Sequence, residues 1–85
     1  MRGMIEVNVK LFAVAKEIAG VDTLSVQLDE GATVVSILDY LVERNPEFAR
    51  WRDHLRVAVN FEYVPVTSIV HQRDEIAVIP PVSGG

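Results

Sequence analysis

The chain has 85 residues, of which 49% are hydrophobic, and it carries a formal net charge of −4. This length and apolar content predict one small folded domain and exclude a disordered chain. The absence of cysteine excludes disulfide scaffolds, cysteine zinc sites, iron–sulfur clusters and a catalytic thiol. The acidic balance argues against a nucleic-acid partner, and the apolar runs are too short to span a membrane. We therefore expect a soluble, cytoplasmic protein that binds neither nucleic acid nor membrane.

The first part of the chain predicts two strands with a short helix between them. Strict alternation of apolar and polar residues over 5–12 indicates a half-buried strand. Residues 13–19 then have the pattern of about two helical turns, which Gly20 is expected to end. Alternation returns over residues 23–28, so this segment is predicted to form a strand that pairs with the first.

The main helix is predicted to begin after Thr33, which is a suitable N-cap residue. Apolar residues then recur at the spacing of one helical face, at Val34, Ile37, Leu38, Leu41 and Val42. Pro46 is expected to end the helix, because a proline disfavours the helical region at the residue before it, Asn45. Three further apolar residues suggest a short helical turn beside the core: Phe48, Trp51 and Leu55.

Three strands are predicted in the last part of the domain. They cover residues 56–61, a short return piece at 62–66 that Pro65 restricts to a sheet edge, and residues 74–78. The complete order predicts an α+β domain of the β-grasp kind over residues 1–79. We expect a mixed sheet of four to five strands, one main helix on one face, and the first and last strands paired in parallel.

The usual catalytic and metal-binding motifs are absent from the sequence. The two histidines, His54 and His71, have no partner at metal-ligand spacing, so we expect them at the surface or at the edge of the core. The carboxylate pairs Asp29-Glu30 and Asp74-Glu75 are explained by turn chemistry, since neighbours on a strand point to opposite faces. The chain is therefore predicted to bind no metal and no cofactor by itself.

The end of the sequence is the segment that suggests chemistry, and we call residues 80–85 the C-terminal arm. Pro80 and Pro81 hold the exit from the last strand extended and stiff, and Val82 and Ser83 follow them. The final residues, Gly84-Gly85, have no side chains and can pass through a channel too narrow for a Cβ atom. We expect a flexible Gly-Gly tail with a free carboxylate at Gly85. The six residues beyond Ile79 can reach about 20 Å when extended.

A carboxylate is a poor acyl donor at neutral pH, so the expected reaction at Gly85 needs prior activation. Acyl-adenylate formation with ATP is the standard route, and the chain has no phosphate-binding loop of its own. An activating enzyme must therefore dock on the domain. Phe12, Tyr63 and Ile79 are apolar at positions where alternation predicts outward-facing polar residues, so we predict that they form the docking patch.

With these residues identified, the chain resembles the ubiquitin-like sulfur carriers that form the small subunit of molybdopterin synthase. The resemblance spans nearly the whole length, and the terminal Pro-Pro-Val-Ser-Gly-Gly after an Asp-Glu strand is its most specific part. The other matching segments are Leu11-Phe12-Ala13, Lys16-Glu17 to Gly20, Ala58-Val59-Asn60 and Asp74-Glu75-Ile76-Ala77. The family usually places a glycine before the Asp-Glu pair, where this chain has His71-Gln72-Arg73, and this departure leaves the local turn type open.

The resemblance implies a defined cycle at Gly85. An adenylyltransferase similar to ubiquitin-activating enzymes uses ATP to adenylate this residue, and a persulfide on another protein supplies the sulfur that makes a thiocarboxylate. The arm then enters the large synthase subunit, which transfers the sulfur to cyclic pyranopterin monophosphate and builds the dithiolene of molybdopterin.

The resemblance also implies an assembly and a division of roles. In the family, the small subunits sit at the two ends of a dimer of large subunits, which makes a heterotetramer. The active site then belongs to the large subunit, and this chain is a non-catalytic sulfur donor. The same comparison matches Phe12, Tyr63 and Ile79 to the partner-facing patch and places Lys16 near the interface of the arm.

Three alternative functions remain open at this point. The chain could carry sulfur for another product, such as thiamine or a thiolated tRNA base, with the same fold and activation. It could be a protein modifier that is conjugated through Gly85 to lysines of other proteins. It could also be a plain binding module whose arm has no chemical role.

Overall fold

The computed structural model of the protein describes residues 3–81. Within that range the helices and strands are β1 (Met4–Leu11), α1 (Ala13–Ala19), β2 (Thr23–Asp29), α2 (Val34–Arg44), β3 (Arg56–Val59), β4 (Glu62–Tyr63) and β5 (Glu75–Ile79). Two short 3-10 turns, Pro46–Arg50 and Arg52–His54, connect α2 to β3.

The strands form one mixed sheet in the order β2-β1-β5-β3-β4. The first and last strands, β1 and β5, are parallel, and the other neighbours are antiparallel. The predicted β-grasp architecture, with its central parallel pair, is confirmed. Because β5 lies in the middle of the sheet, the chain leaves its last strand from the centre of the domain.

The core lies between one face of the sheet and helix α2. Inward residues of β1 and β5 are buried, and the predicted helical stripe supplies Val34, Ile37, Leu38 and Leu41, all at most 3% exposed. Phe48, on the first 3-10 turn, is completely buried and closes the core beside α2. Complete burial of a side chain of this size stabilises the fold by about 1.5–3 kcal/mol.

The predicted ends of the helices are confirmed in position. Gly20 has a φ of 80° and its amide donates a hydrogen bond to the carbonyl of Lys16, which ends α1. Asn45 has extended backbone angles before Pro46, as expected for a residue that precedes proline.

Thr33 occupies the N-cap position of α2, but its side chain makes no capping hydrogen bond. Backbone carbonyls of a neighbouring loop replace it. The amide of Val34 donates to the carbonyl of Ser68 at 3.0 Å, and that of Val35 donates to the carbonyl of Val66 at 3.1 Å. These bonds satisfy the first two amide donors of the helix, of which the second is one that an N-cap hydroxyl usually satisfies. Thr33 is therefore the N-cap residue in position, as predicted, but its hydroxyl does not form the capping bond that such a residue usually makes.

Strand β3 is shorter than predicted. It ends at Val59, and a two-residue turn made by Asn60 and Phe61 leads directly into β4. Both turn residues have positive φ angles, 51° and 73°, which reverse the chain two residues earlier than expected. The predicted return piece at 62–66 shortens to Glu62–Tyr63 at the edge of the sheet.

Neither helix within residues 3–81 is long and apolar enough to cross a membrane. Over the same residues, no group of three or more histidine, aspartate or glutamate side chains could hold a metal ion.

Candidate functional site

A shallow groove lies on the outer face of the sheet, opposite α2. Its floor follows from the register of four strands: Lys10 pairs with Ala77, Ala77 with Ala58, and Ala58 with Tyr63. The two alanines in the middle of this row have small side chains and leave space above them. The result is a depression of about 330 Å³.

The walls of this groove contain the three residues that the sequence predicted as a docking patch. Phe12, Tyr63 and Ile79 all line the groove. Phe12 is 45% exposed and Tyr63 is 62% exposed, whereas Ile79 is half-buried. The structure therefore brings together three side chains from β4, β5 and the start of α1. Whether a partner binds there stays a prediction.

Phe61 also lines the groove, and the sequence reasoning missed it. The sequence-based assignment placed it at the end of a strand, whereas it lies on the turn between β3 and β4 and is 91% exposed. Asn60 immediately before it was the one sequence signal for a turn here, because asparagine tolerates the left-handed region.

Two charged side chains line the groove, and a third lies over one of its aromatic rings. Lys10 and Glu75 line it, and the guanidinium of Arg56 lies 5.6 Å from the centre of the Tyr63 ring. The interaction between a cation and an aromatic ring at this distance is attractive and restricts the motion of the ring. Lys16 lies outside this groove, on α1, where it is exposed and lines an adjacent depression with Lys10 and Phe12.

The C-terminal arm begins next to the groove. Pro80 is buried and Pro81 is exposed. Both prolines line a second depression of about 560 Å³ together with Trp51 and Val14. Phe12 and Ile79 line both depressions. The root of the arm is thus packed against the domain beside the apolar groove.

The remaining predicted arm residues, Val82, Ser83, Gly84 and Gly85, lie outside the residues that the structure describes.

A hydrogen-bond network fixes the β3–β4 turn to the start of β5. The Asn60 amide donates to Asp74 at 3.0 Å, and the amide oxygen of Asn60 accepts from the Glu75 backbone N–H at 3.0 Å. The second carboxylate oxygen of Asp74 accepts from the His71 backbone N–H at 2.8 Å. Asp74 therefore serves the turn, as its sequence context predicted. His71 and His54 are both exposed.

The turn before β5 lies where the family usually has a glycine and this chain has His71-Gln72-Arg73. The Asp74 amide donates to the carbonyl of His71 at 3.1 Å, and Arg73 has a φ of 68°. A turn with a positive φ at its third residue favours glycine there. Arg73 therefore adopts the backbone conformation that glycine favours, so the turn type that was open from the sequence is one with a left-handed third residue.

The sheet order, the single main helix and the arm that leaves the central strand define a ubiquitin-like β-grasp protein. The sequence comparison gives the particular family: the model of the ThiS family matches residues 9–85, and the chain belongs to this family.

The similar proteins include molybdopterin synthase sulfur carrier subunits and a small archaeal modifier protein, SAMP1. The chain is 42% identical over 81 residues to a molybdopterin synthase sulfur carrier subunit from Arabidopsis thaliana, covering 95% of this chain and 84% of that protein. It is 38% identical, with a TM-score of 0.83, to the crystal structure of SAMP1 from Haloferax volcanii, covering 94% and 99% of the two chains. A ubiquitin from Caldiarchaeum subterraneum has a TM-score of 0.66 at 16% identity over 98% and 100% of the chains, which shows a shared fold alone.

Proposed function

We propose that this chain is the sulfur carrier subunit of a molybdopterin synthase, with Gly85 as the residue that carries the sulfur. Support comes from the similarity to the Arabidopsis sulfur carrier subunit over most of both chains. It also comes from the Pro-Pro-Val-Ser-Gly-Gly segment at residues 80–85. The one structural observation that carries the proposal is that this segment starts at a buried proline beside an exposed aromatic groove.

The first proposed step is activation of Gly85. Its carboxylate oxygen attacks the α-phosphorus of ATP on an adenylating enzyme similar to ubiquitin-activating enzymes, and pyrophosphate leaves. The product is an acyl-adenylate, whose carbonyl carbon is open to attack by a sulfur nucleophile. A side chain on either of the last two residues would obstruct a narrow channel, so two glycines suit this step.

The second proposed step installs sulfur. The terminal sulfur of a persulfide on another protein attacks the carbonyl carbon, and AMP leaves. A thiol on the donor side then reduces the resulting acyl disulfide, which releases the thiocarboxylate and leaves a disulfide behind. The chain has no cysteine, so it cannot trap its own activated terminus as a thioester.

The third proposed step delivers the sulfur to cyclic pyranopterin monophosphate within the large synthase subunit. The thiocarboxylate sulfur attacks a carbon of the substrate side chain and displaces an oxygen substituent from it, which links the two molecules through a thioester. Water then cleaves the bond between the acyl carbon and the sulfur, so that the sulfur stays on the substrate and the carboxylate at Gly85 is restored for another cycle. Two such transfers supply the two sulfurs of a dithiolene. The described residues offer a docking body, with Phe12, Tyr63 and Ile79 facing the partner, and the large subunit supplies the acid and base groups.

Intact-mass spectrometry tests this proposal. The chain is incubated with its adenylating enzyme, ATP and a persulfide donor, and we expect a mass increase that corresponds to one oxygen replaced by sulfur. A variant that lacks Gly85, and a reaction without ATP, are the matched controls and should show no increase. No mass change with a competent enzyme and donor would refute the sulfur-carrier role.

A second candidate function is protein modification through Gly85. The observation that favours it is the 38% identity and TM-score of 0.83 to SAMP1 from Haloferax volcanii, a small archaeal modifier protein. Cells that express a tagged chain should then contain a ladder of larger species linked by isopeptide bonds, and the ladder should disappear when Gly85 is deleted. A blot with the free chain alone would exclude this role.

Sulfur delivery to thiamine or to tRNA is the remaining carrier alternative, because it uses the same activation chemistry. Co-purification distinguishes the two carrier roles. Recovery of the large synthase subunit with the tagged chain supports molybdopterin synthesis, and recovery of a different sulfur acceptor contradicts it.

A further inference from the structure

Phe61 occupies a position that the fold by itself does not favour. It is the second central residue of the two-residue turn between β3 and β4 and has a φ of 73°. Tight turns of this kind favour glycine at such positions, because an L side chain crowds the backbone there. With 91% of its side chain exposed, Phe61 gains almost no burial in return. Strained and exposed residues of this kind concentrate at functional sites.

The turn that carries Phe61 is held in place. Asn60 beside it is bonded to Asp74 and to the backbone of Glu75, both at 3.0 Å. These bonds connect the tip of the hairpin to the central strand of the sheet. The Phe61 side chain is therefore presented from a fixed backbone, which reduces the entropy that a partner must remove on binding.

The exposed aromatic residues of the domain are concentrated at one place. Among the residues that the structure describes, the exposed large hydrophobics are Met4, Phe12, Val21, Phe61, Tyr63, Val66 and Ile69. The three aromatic ones all line the apolar groove, and the four aliphatic ones lie elsewhere. Aromatic side chains are enriched in the buried centres of protein interfaces. The groove thus has the composition of a protein-binding surface, with Phe61 as its most projecting side chain.

We propose that Phe61 is a specificity-determining contact for the enzyme that activates the C-terminus of this chain. The inference rests on the proposed function, because both the sulfur carrier and the modifier begin with ATP-dependent activation of Gly85. The expected occupant is an apolar surface of that enzyme, seated over the alanine floor of the groove and in contact with Phe61. An enzyme seated there lies next to Pro80, and residues 81–85 can extend about 17 Å from that point into its ATP site.

The test uses the full chain and its adenylating enzyme in an ATP–pyrophosphate exchange assay, with the chain as the varied substrate. Phe61→Gly is expected to raise the melting temperature by about 2–5 °C, because it removes the backbone strain. The same variant should raise KM at least tenfold with little change in kcat. Phe61→Leu keeps an apolar side chain and should recover most of the affinity.

Two control variants show whether a change in KM comes from loss of the Phe61 side chain rather than from a change in the backbone or from loss of any exposed apolar side chain. Arg73→Gly removes the same kind of backbone strain at a residue that does not line the groove, so it should raise the melting temperature and leave KM unchanged. Ile69→Ala removes an exposed apolar side chain outside the groove and should also leave KM unchanged.

A KM for Phe61→Gly within twofold of the parent value would overturn the inference, as would an equal increase in the Ile69→Ala control. A lower melting temperature for Phe61→Gly would show that the turn is not strained, which also overturns it. The parent chain tests the proposed function separately. If it supports no ATP–pyrophosphate exchange, or if the exchange does not depend on Gly85, the proposed function is refuted and the inference with it.

Discussion

Substitution of Asn60 is expected to lower the free energy of unfolding more than substitution of most other polar residues, although Asn60 is exposed. Its side chain makes two hydrogen bonds of 3.0 Å that join the β3–β4 turn to β5. Each such bond contributes about 1 kcal/mol net. Its φ of 51° adds a second effect, because asparagine tolerates the left-handed region and alanine does not, at a cost of about 1 kcal/mol.

These contributions predict that Asn60→Ala lowers the free energy of unfolding by about 2–3 kcal/mol. A domain of this length has about 4–13 kcal/mol of stability in total, so the loss is a large fraction. The melting temperature should fall by about 10–20 °C. Urea and thermal unfolding followed by circular dichroism measure both quantities.

Asn60→Gly is the matched control for this prediction. Glycine adopts the positive φ without strain, so this variant loses only the two hydrogen bonds and should be about 1 kcal/mol more stable than Asn60→Ala. The reasoning is refuted when Asn60→Ala unfolds within about 0.5 kcal/mol of the parent chain, which is the range of ordinary surface substitutions.

Three further stability predictions use the same unfolding measurements. Phe48→Ala removes a completely buried ring and should cost about 3–5 kcal/mol; a loss below about 1 kcal/mol would show that the site is not packed as described. Gly20→Ala should cost about 1 kcal/mol from backbone strain alone, because an added Cβ has no atom within 4 Å; an unchanged stability would contradict the left-handed helix end. Asp39→Asn removes the 2.6 Å ion pair with Arg52 between partly exposed side chains, so it should cost under about 1 kcal/mol, with the difference disappearing in about 1 M salt; a difference that persists would contradict a screened surface pair.

Hydrophobic periodicity was sufficient to predict most of the fold. Alternation in β1, β2 and β5 has a period of two, and the stripe on α2 has the spacing of a helix face, so each element could be assigned without knowledge of its neighbours. Parallel pairing of the first and last strands of the chain, β1 and β5, then follows from the layer arrangement. The shared position of Phe12, Tyr63 and Ile79 at the groove was predictable for the same reason, since an apolar residue at an outward position breaks the alternation.

Features that depend on contacts between distant segments were not predictable. The turn at Asn60 and Phe61 lacks the glycine that marks a tight hairpin, so its position is set by the bonds of Asn60 to β5. The cap of α2 is provided by backbone carbonyls of residues 66–68 rather than by Thr33. Val70 is buried at 1% exposure in a segment without any periodic pattern, where its amide donates to the Ala32 carbonyl.

The register of β5 couples the apolar groove to the C-terminal arm. β5 is paired on both sides, with Val78 opposite Leu11 of β1 and opposite Val57 of β3. Val78 is therefore fixed towards the core, and Ile79 must face the groove. A shift of one residue would bury Ile79, expose Val78 and move Pro80 away from the depression that it lines with Trp51. Two neighbouring strands thus fix the orientation of the groove and the position of Pro80 together, so under the proposed function an activating enzyme that recognises the groove meets Pro80 at a constant position.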